Sequence, residues 1–131
     1  MLPLTVTRPD NPPMPRRPEN VYPQYHAHVY FNADTVAQAR ALVEEAGLNL
    51  LVVVGRVHER PVGPHPQWSC QIAFDAAEFD QVIDWLDTHR KGLDVLVHGL
   101  TGDDYADHTT HAMWLGDAHV LNLEMFRRPT A

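Results

Sequence analysis

At 131 residues, 44% hydrophobic and 21% charged, the chain has the size and composition of one folded domain with its own core. Its formal net charge of −7, from 10 basic and 17 acidic residues, argues against a nucleic-acid binder and against docking on an anionic membrane, both of which call for clustered Lys and Arg. A single cysteine, Cys70, permits no intrachain disulfide framework and is consistent with a reducing compartment.

No stretch approaches the roughly 18–20 apolar residues of a membrane span. The first residues lack the basic-then-apolar order of a signal peptide, so a cytoplasmic protein is expected. The unusual count is histidine, nine in 131 residues. Imidazole is the commonest metal ligand and the usual proton carrier near neutrality.

Residues 1–20 carry Pro3, Pro9, Pro12, Pro13, Pro15 and Pro18, which block helix and central-strand pairing. They read as an extended arm ahead of a single domain at 21–127. Residues 25–31 (YHAHVYF) alternate and are rich in aromatic and β-branched types, so they predict a strand. A cap at Asn32-Ala33-Asp34 precedes a helix over 35–46, with Val36, Ala39, Leu42, Val43 and Ala46 at helical spacing and Gly47 as its stop. Residues 48–57 form a continuous apolar run, which predicts a buried strand.

A proline-rich loop at 58–66 leads to a third strand over 68–74. Asp75 is placed to cap a second helix over 76–91, with Phe79, Val82, Ile83 and Leu86 facing inward. Gly92 closes it, and 93–98 predicts a fourth strand. The order βαββαβ fits an α+β ferredoxin-like sandwich, one antiparallel sheet with both helices on one face. Residues 111–115 and 119–126 are expected to add a C-terminal β-hairpin around Gly116-Asp117.

Side chains alternate faces along a strand. Tyr25, Ala27, Val29 and Phe31 therefore share an apolar face suited to the helices. His26, His28 and Tyr30 share the face that the helices leave open. The first strand is expected in the centre of the sheet, parallel to the third and antiparallel to the fourth. That arrangement would bring His65, just before strand three, and His98, at the end of strand four, to the same end as His26, with His28 one step inward. These four are the candidate metal set, and their imidazoles suit iron, zinc or copper. The competing reading is that they are hydrogen-bonded or solvated without a ligand.

His58 opens the loop that delivers His65. His108 and His111 follow a polar loop able to fold over the sheet end, and Asp107 is placed to orient His108. Asp103 or Asp104 could complete a two-histidine, one-carboxylate site, although such a pair is often a solvated turn. Arg56 and Arg60 are candidates to grip a substrate carboxylate, or else belong to a charged strand edge. Trp68, Trp85 and Trp114 read as core or interface, Cys70 as a buried thiol, and His89 and His119 as having no part in the site.

Several segments resemble the small DOPA 4,5-dioxygenase family. They are Tyr25-His26-Ala27-His28-Val29-Tyr30-Phe31, Val54-Gly55-Arg56-Val57-His58, Gly63-Pro64-His65-Pro66, Trp85-Leu86, Leu96-Val97-His98, Thr101-Gly102-Asp103, Asp107-His108 and Ala112-Met113-Trp114-Leu115-Gly116. The resemblance spans about 22–123 and leaves out the proline-rich arm. One departure is Gly99, where the family pattern continues into proline.

The resemblance implies an extradiol-type dioxygenase that opens a catechol ring, such as DOPA or a related catecholic acid, with O2, and a ferredoxin-like homodimer. It implies Fe(II), or zinc or another divalent metal in a purified sample, held among His26, His28, His65 and His98. His58 and His108 would then move protons, with Arg60 and Arg56 near the substrate. An alternative of another class is a dimeric metal- or small-molecule-binding protein without turnover, since this fold serves many functions. A third is a cofactor-free monooxygenase.

Overall fold

The structure, a computed structural model, describes residues 16–126. The first strand, β1, spans Gln24–Phe31 and is followed by helix α1 over Val36–Asn49. Strands β2 (Val53–His58) and β3 (Trp68–Asp75) come next. A 3-10 turn at Ala76–Glu78 then leads into helix α2, Phe79–His89. Strand β4 (Val95–Gly99), a one-turn helix α3 (Asp104–Asp107) and strand β5 (Met113–Leu115) complete the core elements.

The sheet runs β2-β3-β1-β4-β5, with every neighbouring pair antiparallel. The ferredoxin-like α+β order is therefore present, with β1 in the centre. The expected parallel pairing of β1 with β3 is corrected: the two are antiparallel, with Phe31 opposite Trp68 and Gln24 opposite Asp75. Strand β2 already runs with β1 after the helical crossover, so the hairpin into β3 has to reverse direction. His65 consequently starts from the far end of β1, not from beside His26.

The helix-facing side is built as the alternation requires. Tyr25, Ala27, Val29 and Phe31 pack with Cys70, Ile72, Phe74, Val95 and Val97 under Ala39, Leu42, Val43 and Ala46 of α1 and Val82, Ile83 and Leu86 of α2. Fully burying one such leucine or valine contributes roughly 1.5–3 kcal/mol, which is why one face of each helix is committed to the sheet.

Three boundaries differ from expectation. Helix α1 runs through Gly47 to Asn49, because Gly47 sits under β2, where an added Cβ would lie 3.3 Å from Val54 Cγ2. The glycine serves a close approach there and is not a stop. The apolar run 48–57 is not one buried strand: Leu48, Leu51 and Val53 are exposed, and β2 is an edge strand with a register shift between Val54 and Val57. Asp75 precedes the 3-10 turn but makes no side-chain cap bond, and the regular part of the second helix is shorter than 76–91. The chain does reverse where expected, with Lys91 and Gly92 both at positive φ.

The expected C-terminal hairpin is also corrected. Strand β5 pairs with β4, but 119–126 forms no strand; it crosses the open face as a strap ending in a 3-10 turn at Glu124–Phe126. The backbone N–H of Asn122 in the strap donates to Pro64 O (2.8 Å). Asp94 accepts from Asp117 N (2.8 Å) and pairs with His119 Nε2 (2.7 Å), which fastens the strap's other end. Beneath it Tyr30, Leu96 and Trp114 form a second apolar cluster with Ala112, Ala118 and Leu121.

Most of the expected arm, residues 1–15, lies outside the described residues. Its last part runs along the outer side of β5, where Trp114 N donates to Arg16 O (2.8 Å). Among the described residues, no helix is long and apolar enough to cross a membrane.

Candidate metal centre

The floor of the site comes from β1 and β4. Strand alternation turns His26 and His28 out of the core face, and the register sets His98 directly opposite His26. The ring centroids lie 5.5 Å apart for His26 and His98, 5.8 Å for His26 and His28, and 5.1 Å for His28 and His98. The Nε2 atoms of His28 and His98 are 3.0 Å apart. His98 Nδ1 donates to Gly99 O (2.9 Å), so in the neutral ring the lone pair is on Nε2, facing His28. His28 and His98 are buried and His26 is half-buried.

The roof is carried by loops. His65, from the proline-rich loop, folds back over β1 until its ring is 4.2 Å from that of His28. Its Nδ1 shares a 2.7 Å hydrogen bond with the buried Tyr30 hydroxyl. His108 follows α3, whose start is capped by Asp103 accepting from Ala106 N (3.1 Å). His108 Nδ1 donates to Asp104 O (2.7 Å), which again leaves the lone pair on Nε2. Its ring lies 4.4 Å from His98 and stacks on Phe126 of the strap at 5.1 Å.

Two overlapping sets result, His26/His28/His98 and His28/His65/His108, and each could hold a metal ion. Burial lowers the pKa values of His26, His28, His65 and His98. That of His28 falls well below the ordinary range, through burial first and then through His65 and His98. His65 is pushed down to about 4 by burial, then by His108 and His98. His98 is also brought to about 4, mainly by burial, with the Gly99 carbonyl opposing. His26 is lowered by burial and by His108, and Asp107 opposes. Uncharged imidazoles with free lone pairs at neutral pH are the form a metal requires. A donor set of imidazoles without thiolate suits iron, zinc, copper or nickel.

The structure thus brings His26, His28, His65 and His98 together and adds His108, which the sequence placed only loosely. His28 belongs to both sets and is the most central member. His58 stands outside both sets, near enough to His65 to influence it electrostatically. Arg56 and Arg60 are exposed on β2 and the loop beyond it, and neither side chain forms a hydrogen bond or ion pair among the described residues.

Two second-tier expectations are corrected. Asp103 and Asp104 bring no carboxylate to either set, since Asp103 is spent as the cap and Asp104 contributes its backbone carbonyl. Asp107 does not hold His108; it is buried and accepts from the backbone and hydroxyl of Thr101. The residues missed were Tyr30 and the carbonyls of Gly99 and Asp104. For Tyr30 a signal existed, since it shares the parity of His26 and His28.

Cys70 is buried and its thiol is pushed up to about 11 by that burial. His89 stacks on Trp85 at 4.2 Å, away from the site. His119 stacks on Trp114 at 5.7 Å and fastens the strap. Beside His108, a recess of about 300 Å³ is lined by Gly102, Asp103, Asp104, Tyr105 and Phe126. Another hollow, of about 460 Å³ between the start of β2 and the near ends of β1 and β3, is lined by no histidine.

The model of the Dopa 4,5-dioxygenase family matches residues 25–125, which takes in all five histidines of the cluster. The chain belongs to the Dopa 4,5-dioxygenase family. Among its relatives is a DOPA 4,5-dioxygenase from Amanita muscaria, 32% identical over 109 residues, covering 76% of this chain and 48% of that protein. Another is an uncharacterized 21.2 kDa protein from Botryotinia fuckeliana, 35% identical over 81 residues, covering 56% of this chain and 44% of that one.

The chain therefore spans about half the length of the curated relatives it matches. A crystal structure from Nostoc punctiforme, of a protein provisionally named a dioxygenase, superposes with a TM-score of 0.78 at 43% identity. That match covers 81% of this chain and 92% of the Nostoc chain. The five-stranded α+β fold and the dioxygenase family membership stand together on these matches.

Proposed function

We propose that the protein is a metal-dependent, extradiol-type dioxygenase acting on a catechol, DOPA or a related catecholic acid. The observation that carries this is the convergence of histidines on the open face of a dioxygenase-family sheet. Extradiol opening breaks the ring carbon–carbon bond beside the diol. Both atoms of O2 enter the product, as an aldehyde and a carboxylate, so no outside reductant is consumed. A divalent metal such as Fe(II), held among His26, His28, His65 and His98, would supply the electron path from ring to O2.

The chain's own residues then have distinct tasks. The apolar cluster of Tyr30, Leu96 and Trp114 keeps water from one flank of the histidines. His108 is the proposed proton carrier: its Nδ1–H is committed to Asp104 O and its Nε2 is free to take a proton from the catechol and later return it. His58, on the way into the loop of His65, is the second candidate. Arg60, exposed on that loop, and Arg56, on the neighbouring strand edge, are the cations available to a substrate carboxylate.

We further propose that two copies pair, since β2 presents an unpaired edge with Leu48, Leu51 and Val53 exposed nearby. Light scattering after size exclusion should read twice the chain mass; a monomer at micromolar concentration would refute the pairing.

Anaerobic loading with Fe(II), then caffeate or DOPA with O2, tests the reaction. Oxygen uptake matched one-to-one by a yellow ring-opened product is expected. Tight metal binding without uptake on any catechol refutes the enzyme and favours a binding protein. Uptake that survives a chelator refutes the metal dependence.

A further inference from the structure

Five imidazoles in two overlapping sets pose a question that the proposed reaction leaves open. The five nitrogens fall into two groups of mutually close donors that share His28, and neither group contains all five. The two sets differ in what holds them in place. His26, His28 and His98 stand on adjacent central strands whose pairing is continuous from Tyr25↔Gly99 to Val29↔Val95. His65 and His108 arrive on connecting segments at 59–67 and 100–112. Side chains on a sheet are fixed more tightly than side chains on loops, and ligand geometry must be held closely.

Spacing and tautomer make the sheet trio ready for an ion. Tetrahedral metal–nitrogen bonds of about 2.1 Å place two nitrogens about 3.4 Å apart. The Nε2 atoms of His28 and His98 share a 3.0 Å hydrogen bond, so both point at one spot and need to part by only a few tenths of an ångström to take an ion between them. The Gly99 carbonyl can only accept, so His98 Nδ1 carries the proton and Nε2 the lone pair. This carbonyl–imidazole pairing is the support that metal-bound histidines usually have. His26 is half-buried, so water can take its second nitrogen. Of the loop pair, His65 is held by the Tyr30 hydroxyl, and His108 has the same carbonyl pairing through Asp104 O but stands on a connecting segment braced by the strap, with Phe126 stacked on it.

We propose that the five-histidine cluster is divided, with the sheet trio His26, His28 and His98 holding the metal and the loop pair His65 and His108 left uncoordinated above it, facing the substrate. This deepens the dioxygenase reading, because it assigns the open positions of the site to the side that His65 and His108 overlook. The division does not depend on turnover: a metal-binding protein without activity would show it equally.

The test uses Zn(II), which has no redox chemistry, in equilibrium dialysis with metal analysis on the full chain. Wild type is expected to bind one ion. His26→Gln and His98→Ala should each lose more than about 100-fold in affinity, beyond the 10–100-fold typical of a supporting residue. His65→Ala and His108→Ala should keep one Zn(II) within about 10-fold. Loaded with Fe(II), these two should lower kcat for catechol-dependent O2 uptake while retaining their metal.

If His98→Ala fails to fold, judged by its circular dichroism, the half-buried His26→Gln decides. Nitrogen-15 spectra of histidine-labelled wild type give an independent reading. Zn(II) should shift the ring nitrogens of His26, His28 and His98 as directly ligated ones, and those of His65 and His108 should not acquire that signature. Loss of Zn(II) in His65→Ala or His108→Ala comparable with that in His26→Gln would overturn the division, as would two ions per chain. Zn(II) retained by the loop variants with no O2 uptake even in wild type would sink the dioxygenase reading alone.

Discussion

Acid should destabilise the metal-free protein well before its carboxylates titrate. The perturbation is a drop from pH 7 to pH 5 in the presence of a chelator. His65 and His98 are held at about 4 in the fold, against an ordinary value of 6.5, mainly by burial. Both are nearly inaccessible, at 7% and 2% exposure, so solvent screening does not dilute the effect. A lowered folded value means that the unfolded chain takes up protons first. Stability is therefore fully present above 6.5 and is lost as the pH falls through 6.5 toward 4.

With one pKa unit equal to about 1.4 kcal/mol, each ring costs about 2 kcal/mol at pH 5, and the pair about 3–4 kcal/mol. His28 acts in the same direction. Against a domain stability of about 5–15 kcal/mol, this is a large fraction. Guanidinium unfolding at the two pH values measures it, read as the change in extrapolated free energy at constant slope. Zn(II) binds only the folded, neutral cluster, so at pH 7 an excess of 100 times Kd should add about 2.7 kcal/mol. That gain should shrink at pH 5, because protons compete for the same lone pairs. A metal-free stability that stays flat between pH 7 and pH 5 would refute the argument that these rings are buried uncharged.

Three further outcomes follow from single contacts. Gly99→Ala should destabilise the fold by about 1–3 kcal/mol in denaturant titration, because its Cβ would fall 2.3 Å from the Tyr22 ring; an unchanged midpoint would mean Tyr22 moves freely. Tyr30→Phe strands the Nδ1 of His65, costing about 1–3 kcal/mol, and should lower kcat while Zn(II) affinity stays within about 10-fold; equal loss of metal would place His65 among the ligands. Asp94→Ala removes the acceptor for Asp117 N and His119, so amide exchange over 117–122 should quicken; unchanged exchange there would show that the strap is held by its apolar contacts alone.

The face carrying the site was legible in the sequence because strand parity is a local property. The alternation in 25–31 separates Tyr25, Ala27, Val29 and Phe31 from His26, His28 and Tyr30, and the structure keeps that division. Strand direction is not local, and there the structure departs from the sequence expectation. His65 was expected beside His26 through a parallel β1–β3 pair, whereas the pair is antiparallel and His65 reaches the cluster by folding back over Tyr30 and His28. The reach depends on the Tyr30 hydroxyl bond and on Asn122 N holding Pro64 O, two contacts between distant segments that no periodicity announces.

The run 48–57 misled for a related reason. Apolar content alone does not distinguish a central strand from a helix end followed by an edge, and here Leu48, Leu51 and Val53 remain exposed. His108 stayed ambiguous because its orientation comes from the Asp104 carbonyl at the end of a one-turn helix, and not from the Asp107 carboxylate that the sequence offered.

The strap joins these observations into a physical account of the site. Its near end is tied to Asp94 at the start of β4, and its far end holds the His65 loop at Pro64 and stacks Phe126 on His108. The sheet histidines need none of these ties, since β1 and β4 fix them through the ladder. The loop histidines depend on all of them. Loosening the strap should therefore act on the two groups unequally, disturbing the positions of His65 and His108 before it disturbs those of His28 and His98. In Asp94→Ala the reaction should fall while Zn(II) stays bound, and that separation is what a metal on the sheet beneath substrate-facing loops requires. An equal loss of both would show that the strap braces the whole cluster as one unit.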